Sequence, residues 1–279
     1  MVRRTNGSGG RVSGLQIVVL ALVQGITEFL PISSQAHLIL ADEFFGWPDA
    51  GLLIRVAVHV GTLGAVMVYF RRDLWMMLSG LGRLAGGRDP GVRLALFLVI
   101  ATVPVVAAGG IGAYYGVIDR LQEIEVIGWA MLGFGLLLYA ADRFNMTIRR
   151  IEHLTLAHAV FIGVAQVLAL IPGTSRSGIT MTAARALGYE RAEGARFSML
   201  LSIPVIVAAG THQGYKLYQI GDMELSAAAL VAAGLAFVSA LAAIGLMMAW
   251  LRRSSFTPFV IYRVALGAGL LWWAYTGGG

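Results

Sequence analysis

Apolar residues run along this chain in blocks of helix length, separated by short polar segments. Uncharged stretches cover residues 94–118, 126–141, 197–215 and 225–251. Each approaches the roughly 20 residues that a helix needs to cross about 30 Å of hydrocarbon. A backbone in lipid must satisfy its own hydrogen bonds, and runs of this length favour helices over barrel strands. Two further apolar segments are interrupted. Residues 12–41 hold only Glu28 and His37 as ionisable groups, with Pro31, Ser33 and Ser34 midway. Residues 154–184 hold only His158 and Arg176, with "PGTSRSG" midway. Proline lacks the helix donor and pushes the preceding residue out of the helical region, so both segments are predicted to be broken helices.

The pattern predicts an all-α polytopic membrane protein. About six transmembrane helices are expected near 50–70, 94–118, 126–141, 197–215, 226–251 and 257–276, together with two re-entrant helical hairpins. The interrupted segments resemble each other: "LVQGITEFLPISSQAHL" and "VAQVLALIPGTSRSGIT" share Gln, then Pro, then Ser two or three positions later. Pro31 precedes Arg55 by 24 residues, and Pro172 precedes Arg196 by 24. A duplicated unit is expected, repeat one over about 14–141 and repeat two over about 154–276, forming one integral membrane domain over 14–276 after a disordered tail at 1–13. With hairpins that enter and leave on one side, thirteen arginines fall on one face: Arg71, Arg72, Arg83, Arg88, Arg93, Arg143, Arg149, Arg150, Arg185, Arg191, Arg196, Arg252 and Arg253. Five basic residues fall on the other: Arg3, Arg4, Arg11, Arg120 and Lys216. The arginine-rich face is expected to be cytoplasmic, which makes the two repeats inverted and brings the broken helices together near the midplane.

Composition agrees: 58% of the 279 residues are hydrophobic and 13% are charged. The formal charge of +6 comes almost wholly from arginines between apolar runs, a distribution that fits membrane loops and excludes a nucleic-acid-binding face. The absence of cysteine excludes disulfides and thiolate chemistry.

Ionisable groups at membrane depth cost roughly 3 kcal/mol or more each, so they are candidates for function. Gln24 and Glu28 are four apart, on one helix face, and offer oxygen ligands suited to Mg²⁺ or Ca²⁺ shared with a phosphate. Ser33 and Ser34 stand where a helix restarts, and either can cap it. Ser34 and His37 are three apart, a spacing that lets a nucleophile face a base. Arg176 sits in a glycine- and serine-rich break, where its fork suits two phosphate oxygens, and Ser175, Ser177 and a helix N-terminus add donors. One hairpin thus supplies carboxylate, hydroxyl and imidazole, the other a phosphate clamp. That inventory suits phosphoryl transfer from a lipid-borne phosphate.

"QGITEFLPISSQAHL" and "PGTSRSG" resemble the two signature motifs of the bacterial undecaprenyl-diphosphate phosphatases, the BacA family, and the similarity runs from about residue 14 to 276. The resemblance implies hydrolysis of undecaprenyl diphosphate to the monophosphate, recycling the lipid carrier of peptidoglycan synthesis, in the inner membrane with a site open to the periplasm. It also implies a link to bacitracin resistance. Carried over by residue, Gln24 and Glu28 match the motif associated with a divalent cation and catalysis. Ser34 matches the favoured nucleophile, His37 a base, acid or competing nucleophile, and Arg176 the phosphate-binding arginine, with Ser33, Gln35, Thr174, Ser175 and Ser177 around the phosphate. Gln35 and Ala36 depart from the Ser or Thr followed by Gly that is usual there, and Ala36 fits only where the backbone avoids positive φ. The expected partners are a polyprenyl diphosphate, the surrounding lipids and, as one option, a second copy of the chain in a homodimer. Nucleic acid is not among them.

Elsewhere His59, His153, His158 and His212 read as packing residues. Gly109, Gly110, Gly112, Gly128, Gly133 and Gly135 read as points of close helix approach, and Trp272 and Trp273 as interfacial anchors. A polyprenyl-phosphate transporter is the alternative function, since inverted repeats of broken helices also serve transport. Transport needs no nucleophile or base, so the set Glu28, Ser34 and His37 discriminates between the two.

Overall fold

Helices make up nearly all of the regular structure. The computed structural model describes residues 13–47, 50–82, 89–117, 121–144, 147–220 and 227–276. In chain order they form α1 (Gly14–Thr27), α2 (Ser34–Phe45), α3 (Gly51–Tyr69), α4 (Arg71–Gly82), α5 (Pro90–Tyr114), α6 (Ile124–Phe144), α7 (Leu156–Gln166), α8 (Arg176–Ala186), α9 (Arg191–Ile220), α10 (Ala227–Leu251) and α11 (Thr257–Thr276). Six of these, α3, α5, α6, α9, α10 and α11, are long and apolar enough to cross a membrane, and they coincide with the six expected spans. The protein is therefore a multi-pass, all-α membrane protein.

Local chemistry sets the boundaries. α5 begins four residues before the uncharged run because Asp89 caps it, its Oδ1 accepting from the amides of Gly91 and Val92, with Pro90 at the first turn. α9 runs from Arg191 to Ile220, well past the uncharged core at 197–215, because polar residues are welcome where a helix leaves hydrocarbon. The amphipathic α4 was not foreseen; its Trp75, Leu78 and Leu81 are exposed along one side. Ser13 caps α1 by accepting from the Gln16 amide. The rest of the expected N-terminal tail, and Arg83, Arg88 and Arg120 of the charge tally, lie outside the described residues.

Lipid offers little hydrophobic drive between helices, so contact depends on small residues that let backbones approach. α10 supplies a buried stripe of Ala229, Ala232, Ala236, Ala240 and Ala243, against which α1 and α3 pack. A Cβ on Gly25 of α1 would stand 2.7 Å from the Ala236 carbonyl oxygen. α7 packs on α5 in the same manner: a Cβ on Gly163 would lie 2.7 Å from the Ala101 Cα. Of the glycines expected at close approaches, Gly128 and Gly135 do face α11, whereas additions at Gly110 and Gly133 would meet nothing within 4 Å. Along α5 the large residues divide by face. Leu94, Phe97, Leu98, Ala101 and Val105 are buried, while Leu96, Val99, Val103 and Val106 point outward to lipid.

Candidate active site

Two helix breaks build the site. Pro31 has no N–H to give to the Thr27 carbonyl, and α1 ends at Thr27. Pro172 likewise cannot serve Leu168, and α7 tightens into a 3₁₀ turn over Val167–Leu170 before stopping. Both helices restart from a serine in the left-handed region. Ser33 has φ 72° and Ser175 φ 71°, the only non-glycine residues with positive φ among those described. Each then caps the following helix: Ser33 Oγ accepts from the Ala36 amide at 3.4 Å and Ser175 Oγ from the Gly178 amide at 3.1 Å. Such a backbone costs about 1–3 kcal/mol per residue and persists only where surroundings impose it.

Those surroundings include Arg263 of α11. Its side chain is fully buried, and it donates from Nη1 to the Pro31 carbonyl at 3.2 Å and from Nη2 to the Gly173 carbonyl at 3.0 Å. Nε donates to Met131 at 3.2 Å. One guanidinium thus ties both breaks to each other and to α6. At Gly173, φ is +92° and a Cβ would stand 2.5 Å from the Ile127 carbonyl, so only glycine fits. Ser177 Oγ adds a second tie, donating to the Leu30 carbonyl at 2.8 Å.

Glu28 is the hub of the polar cluster. Its Oε2 accepts from Ser34 Oγ at 2.7 Å and from Gln24 Nε2 at 2.8 Å. Its Oε1 accepts from Arg176 Nη2 at 3.0 Å, and Arg176 Nη1 reaches the Ser198 carbonyl of α9 at 3.0 Å. The Glu28 side chain is 10% exposed and that of Arg176 13%. The cluster opens into a cavity of about 340 Å³ lined by Gln24, Glu28, Ser33, Ser34, Gln35, Leu38, Arg55, His59, Ala169, Ile171, Ser175, Arg176 and Gln213. The expected Gln24, Glu28, Ser33, Ser34, Gln35, Ser175 and Arg176 therefore meet on one cavity.

Three expected site residues stand apart from it. His37 does not face Ser34. Its Nδ1 lies 2.7 Å from the Ser33 carbonyl and its Nε2 2.5 Å from the Tyr262 hydroxyl, with the two rings stacked. A carbonyl only accepts, so Nδ1 carries a proton and the ring is aimed at the turn and at α11. Ser34 meanwhile sits in the first position of α2 and turns back to Glu28. Ser177 is buried as a tie between the breaks. Thr174 is fully buried with its hydroxyl unpartnered, and it does not line the cavity. In the other direction, His59 was read as a packing residue but lines the cavity with Arg55 and Gln213. His158 does pack, its Nδ1 pairing with the Tyr189 hydroxyl, whereas His153 is exposed and its Nδ1 accepts from the Arg150 amide within one short turn. Ala36 lies inside α2 with no positive φ and is buried against Ile127, Met131 and Leu270, so its methyl is accommodated.

The donor set also bears on a metal. Among the described residues no three His, Cys, Asp or Glu side chains gather to hold an ion by themselves. Gln24 Oε1, however, is buried without a hydrogen-bond partner beside the Glu28 carboxylate. Two oxygens are too few for a protein cage but suit a hard cation that also takes oxygens from a phosphate.

A carboxylate, a hydroxyl and a guanidinium thus meet on one cavity between two broken helices of an integral-membrane protein. The chain matches the family model "Bacitracin resistance protein BacA" over residues 17–269. It is 53% identical over 270 residues to undecaprenyl-diphosphatase 1 of Rhodospirillum rubrum, covering 94% of this chain and 96% of that one. It is 52% identical over 267 residues to the undecaprenyl-diphosphatase of Ruegeria pomeroyi, covering 95% and 100%, and 51% identical over 267 residues to that of Hahella chejuensis, covering 94% and 98%. The chain belongs to the BacA family.

Proposed function

We propose that this protein is an undecaprenyl-diphosphatase, which hydrolyses undecaprenyl diphosphate to undecaprenyl phosphate and inorganic phosphate. The observation that carries the reading is the constellation of Ser34, Glu28 and Arg176 on one buried cavity, in a chain about half identical to proteins of that name over nearly its whole length. Ser34 Oγ attacks the terminal phosphorus and passes its proton to Glu28 Oε2, already 2.7 Å away. The bond from that phosphorus to the bridging oxygen breaks, and the lipid monophosphate leaves with the proton that Glu28 took from Ser34, which restores the Glu28 carboxylate. Water then cleaves the phosphoserine with Glu28 as base, releasing phosphate and restoring Ser34. Glu28 replaces His37 as the base because His37 is turned away from Ser34. Most of the acceleration is electrostatic, since the transferred group is chiefly charge to be held in place. Arg176 provides that neutralisation. Gln24 Oε1 and Glu28 would hold a divalent cation, Mg²⁺ or Ca²⁺, which supplies further Lewis-acid neutralisation of the phosphates.

The placement belongs to the same proposal: the bacterial inner membrane, with the cavity open to the periplasm and both broken segments re-entrant. An inverted repeat is supported by the packing partners. α1 packs on α10 as α7 packs on α5, and α3 on α10 as α9 on α5, while α3 with α9 and α6 with α11 each join a helix to its own counterpart. The matched strained serines, Ser33 and Ser175, belong to the same correspondence. The test of the chemistry is acid-quench trapping with substrate labelled in the terminal phosphate. Label on Ser34, absent in Ser34→Ala together with phosphate release, is the expected result; release by Ser34→Ala above a tenth of the wild-type rate would assign the attack to water.

A further inference from the structure

A second cavity, of about 180 Å³, lies at the arginine-rich end of the spans, between α4, the first two turns of α5 and α9, and the short turn Ile151–His153. α4 marks the depth of that end. Its 12 residues cover about 18 Å, too short to cross hydrocarbon. Asp73, Met77 and Gly80 are buried, while Trp75, Leu78 and Leu81 face outward. A short helix with that division belongs at the boundary of headgroups and acyl chains. The cavity beside it, walled in part by Met76 of α4, therefore stands at headgroup depth. Three charged side chains line it: Arg93, Arg196 and Glu152. Arg196 is already taken by Asp73 and by Glu193 at 3.3 Å. Arg93 has no carboxylate partner among the described residues; it donates to the Leu154 carbonyl at 3.2 Å and lies 5.8 Å from the centre of the Phe97 ring. Glu152 is exposed, and its carboxylate has neither ion pair nor hydrogen bond among the described residues. Arg150, two residues before it, is held by Glu190 at 2.9 Å. One cation and one anion thus stay open on the same cavity, over an apolar floor of Leu94, Phe97 and Leu154.

A phosphoethanolamine headgroup carries the complementary pair, a phosphate anion and a primary ammonium with three N–H donors. We propose that this cavity binds the headgroup of phosphatidylethanolamine, its phosphate on Arg93 and its ammonium on Glu152, while the acyl chains stay in the bilayer. The volume agrees. It falls below the ~300 Å³ at which pockets begin to hold drug-sized ligands, so it takes a headgroup and not a whole lipid. Both contacts are charge-assisted, and such bonds are roughly twice as strong as neutral ones. A choline headgroup offers no N–H to the carboxylate, and a headgroup of net negative charge leaves Glu152 without a partner. The cavity shares no lining residue with the one that holds Glu28 and Ser34, so the inference is independent of the hydrolytic reading.

The test titrates the delipidated full chain in detergent with phosphatidylethanolamine, phosphatidylcholine and phosphatidylglycerol of matched acyl chains, and reads the thermal midpoint. Phosphatidylethanolamine should raise the midpoint with a half-maximal effect at about tenfold lower concentration than either other lipid. This arm needs no variant to fold. Equal effects of the ethanolamine and choline lipids, or a stronger effect of phosphatidylglycerol, overturn the proposal. In Glu152→Gln the preference for ethanolamine over choline should shrink to less than about twofold, and in Arg93→Gln phosphatidylethanolamine should be needed at about tenfold higher concentration. A preference that survives Glu152→Gln unchanged places the lipid elsewhere and defeats the assignment. Soluble O-phosphoethanolamine should have no effect at the concentration where the lipid saturates; an equal effect would give the cavity to a water-borne ligand and contradict a lipid site.

Discussion

Two buried ion pairs in this molecule use the same chemistry and end in opposite roles. Asp142 of α6 takes Arg185 Nε at 2.9 Å and Arg191 Nε at 2.7 Å on one oxygen and the Phe256 amide at 3.3 Å on the other. Arg185 is 1% exposed and spends its remaining donors on the carbonyls of Asp142 and Tyr189. Every strong valence is closed by protein, and neither residue lines the 340 Å³ cavity. Glu28 and Arg176 are paired at a similar distance, yet a serine hydroxyl shares the carboxylate, an unpartnered amide oxygen stands beside it, and a cavity opens on both. A buried ion pair is therefore a staple where the protein completes it, and a site where the protein leaves it incomplete.

Breaking the two pairs should separate these roles. Glu28→Gln removes both the base and the charge and should lower phosphate release about a thousandfold or more while leaving the thermal midpoint in detergent close to that of the wild type. Asp142→Asn should do the reverse, costing about 3–5 kcal/mol of stability because Arg185 is left buried and uncompensated. Release per folded molecule should stay within about threefold of wild type, read from activity normalised to the folded fraction. Arg263→Met keeps the volume and loses the tie between Pro31 and Gly173. A shift of about 1 Å between the two breaks should cost up to about a hundredfold in kcat, with a smaller change in thermal midpoint. The mildest test concerns His37. Because its Nδ1 holds the Ser33 carbonyl, His37→Ala should lower kcat about tenfold and His37→Asn, which keeps a donor near that place, should recover much of it. A true base would not be rescued by asparagine.

The comparison also explains what the sequence could reveal. Glu28, Ser34 and Arg176 were legible because each interrupts an apolar run, and placing a charge or a break there needs a reason. The six spans were legible from length and hydropathy alone. His37 misled because helical spacing brings i and i+3 together only when both side chains project from regular helix. Ser34 is the first residue of α2 and points back across the turn. Arg55, His59 and Gln213 reach the cavity from α3 and α9, and no local pattern encodes that convergence. Arg263 was visible as an arginine inside an apolar span, the same signal that marked Arg176, but its role in joining two carbonyls exists only once the breaks have met. The strained pair Ser33 and Ser175 shows the same limit: sequence placed a serine at each restart, and only the backbone shows that both adopt positive φ.

Hydrolysis of a lipid diphosphate at the open pair is what we propose for this protein. The most direct measurement is phosphate release from undecaprenyl diphosphate by the purified chain in detergent, with Mg²⁺, with Ca²⁺ and with chelator, beside Glu28→Gln and Arg176→Ala. Release that falls at least about tenfold with chelator, returns with added cation and is lost in both variants is the expected result. No release from folded wild-type protein under any of these conditions would contradict it and leave the cavity as the binding site of a lipid-phosphate carrier.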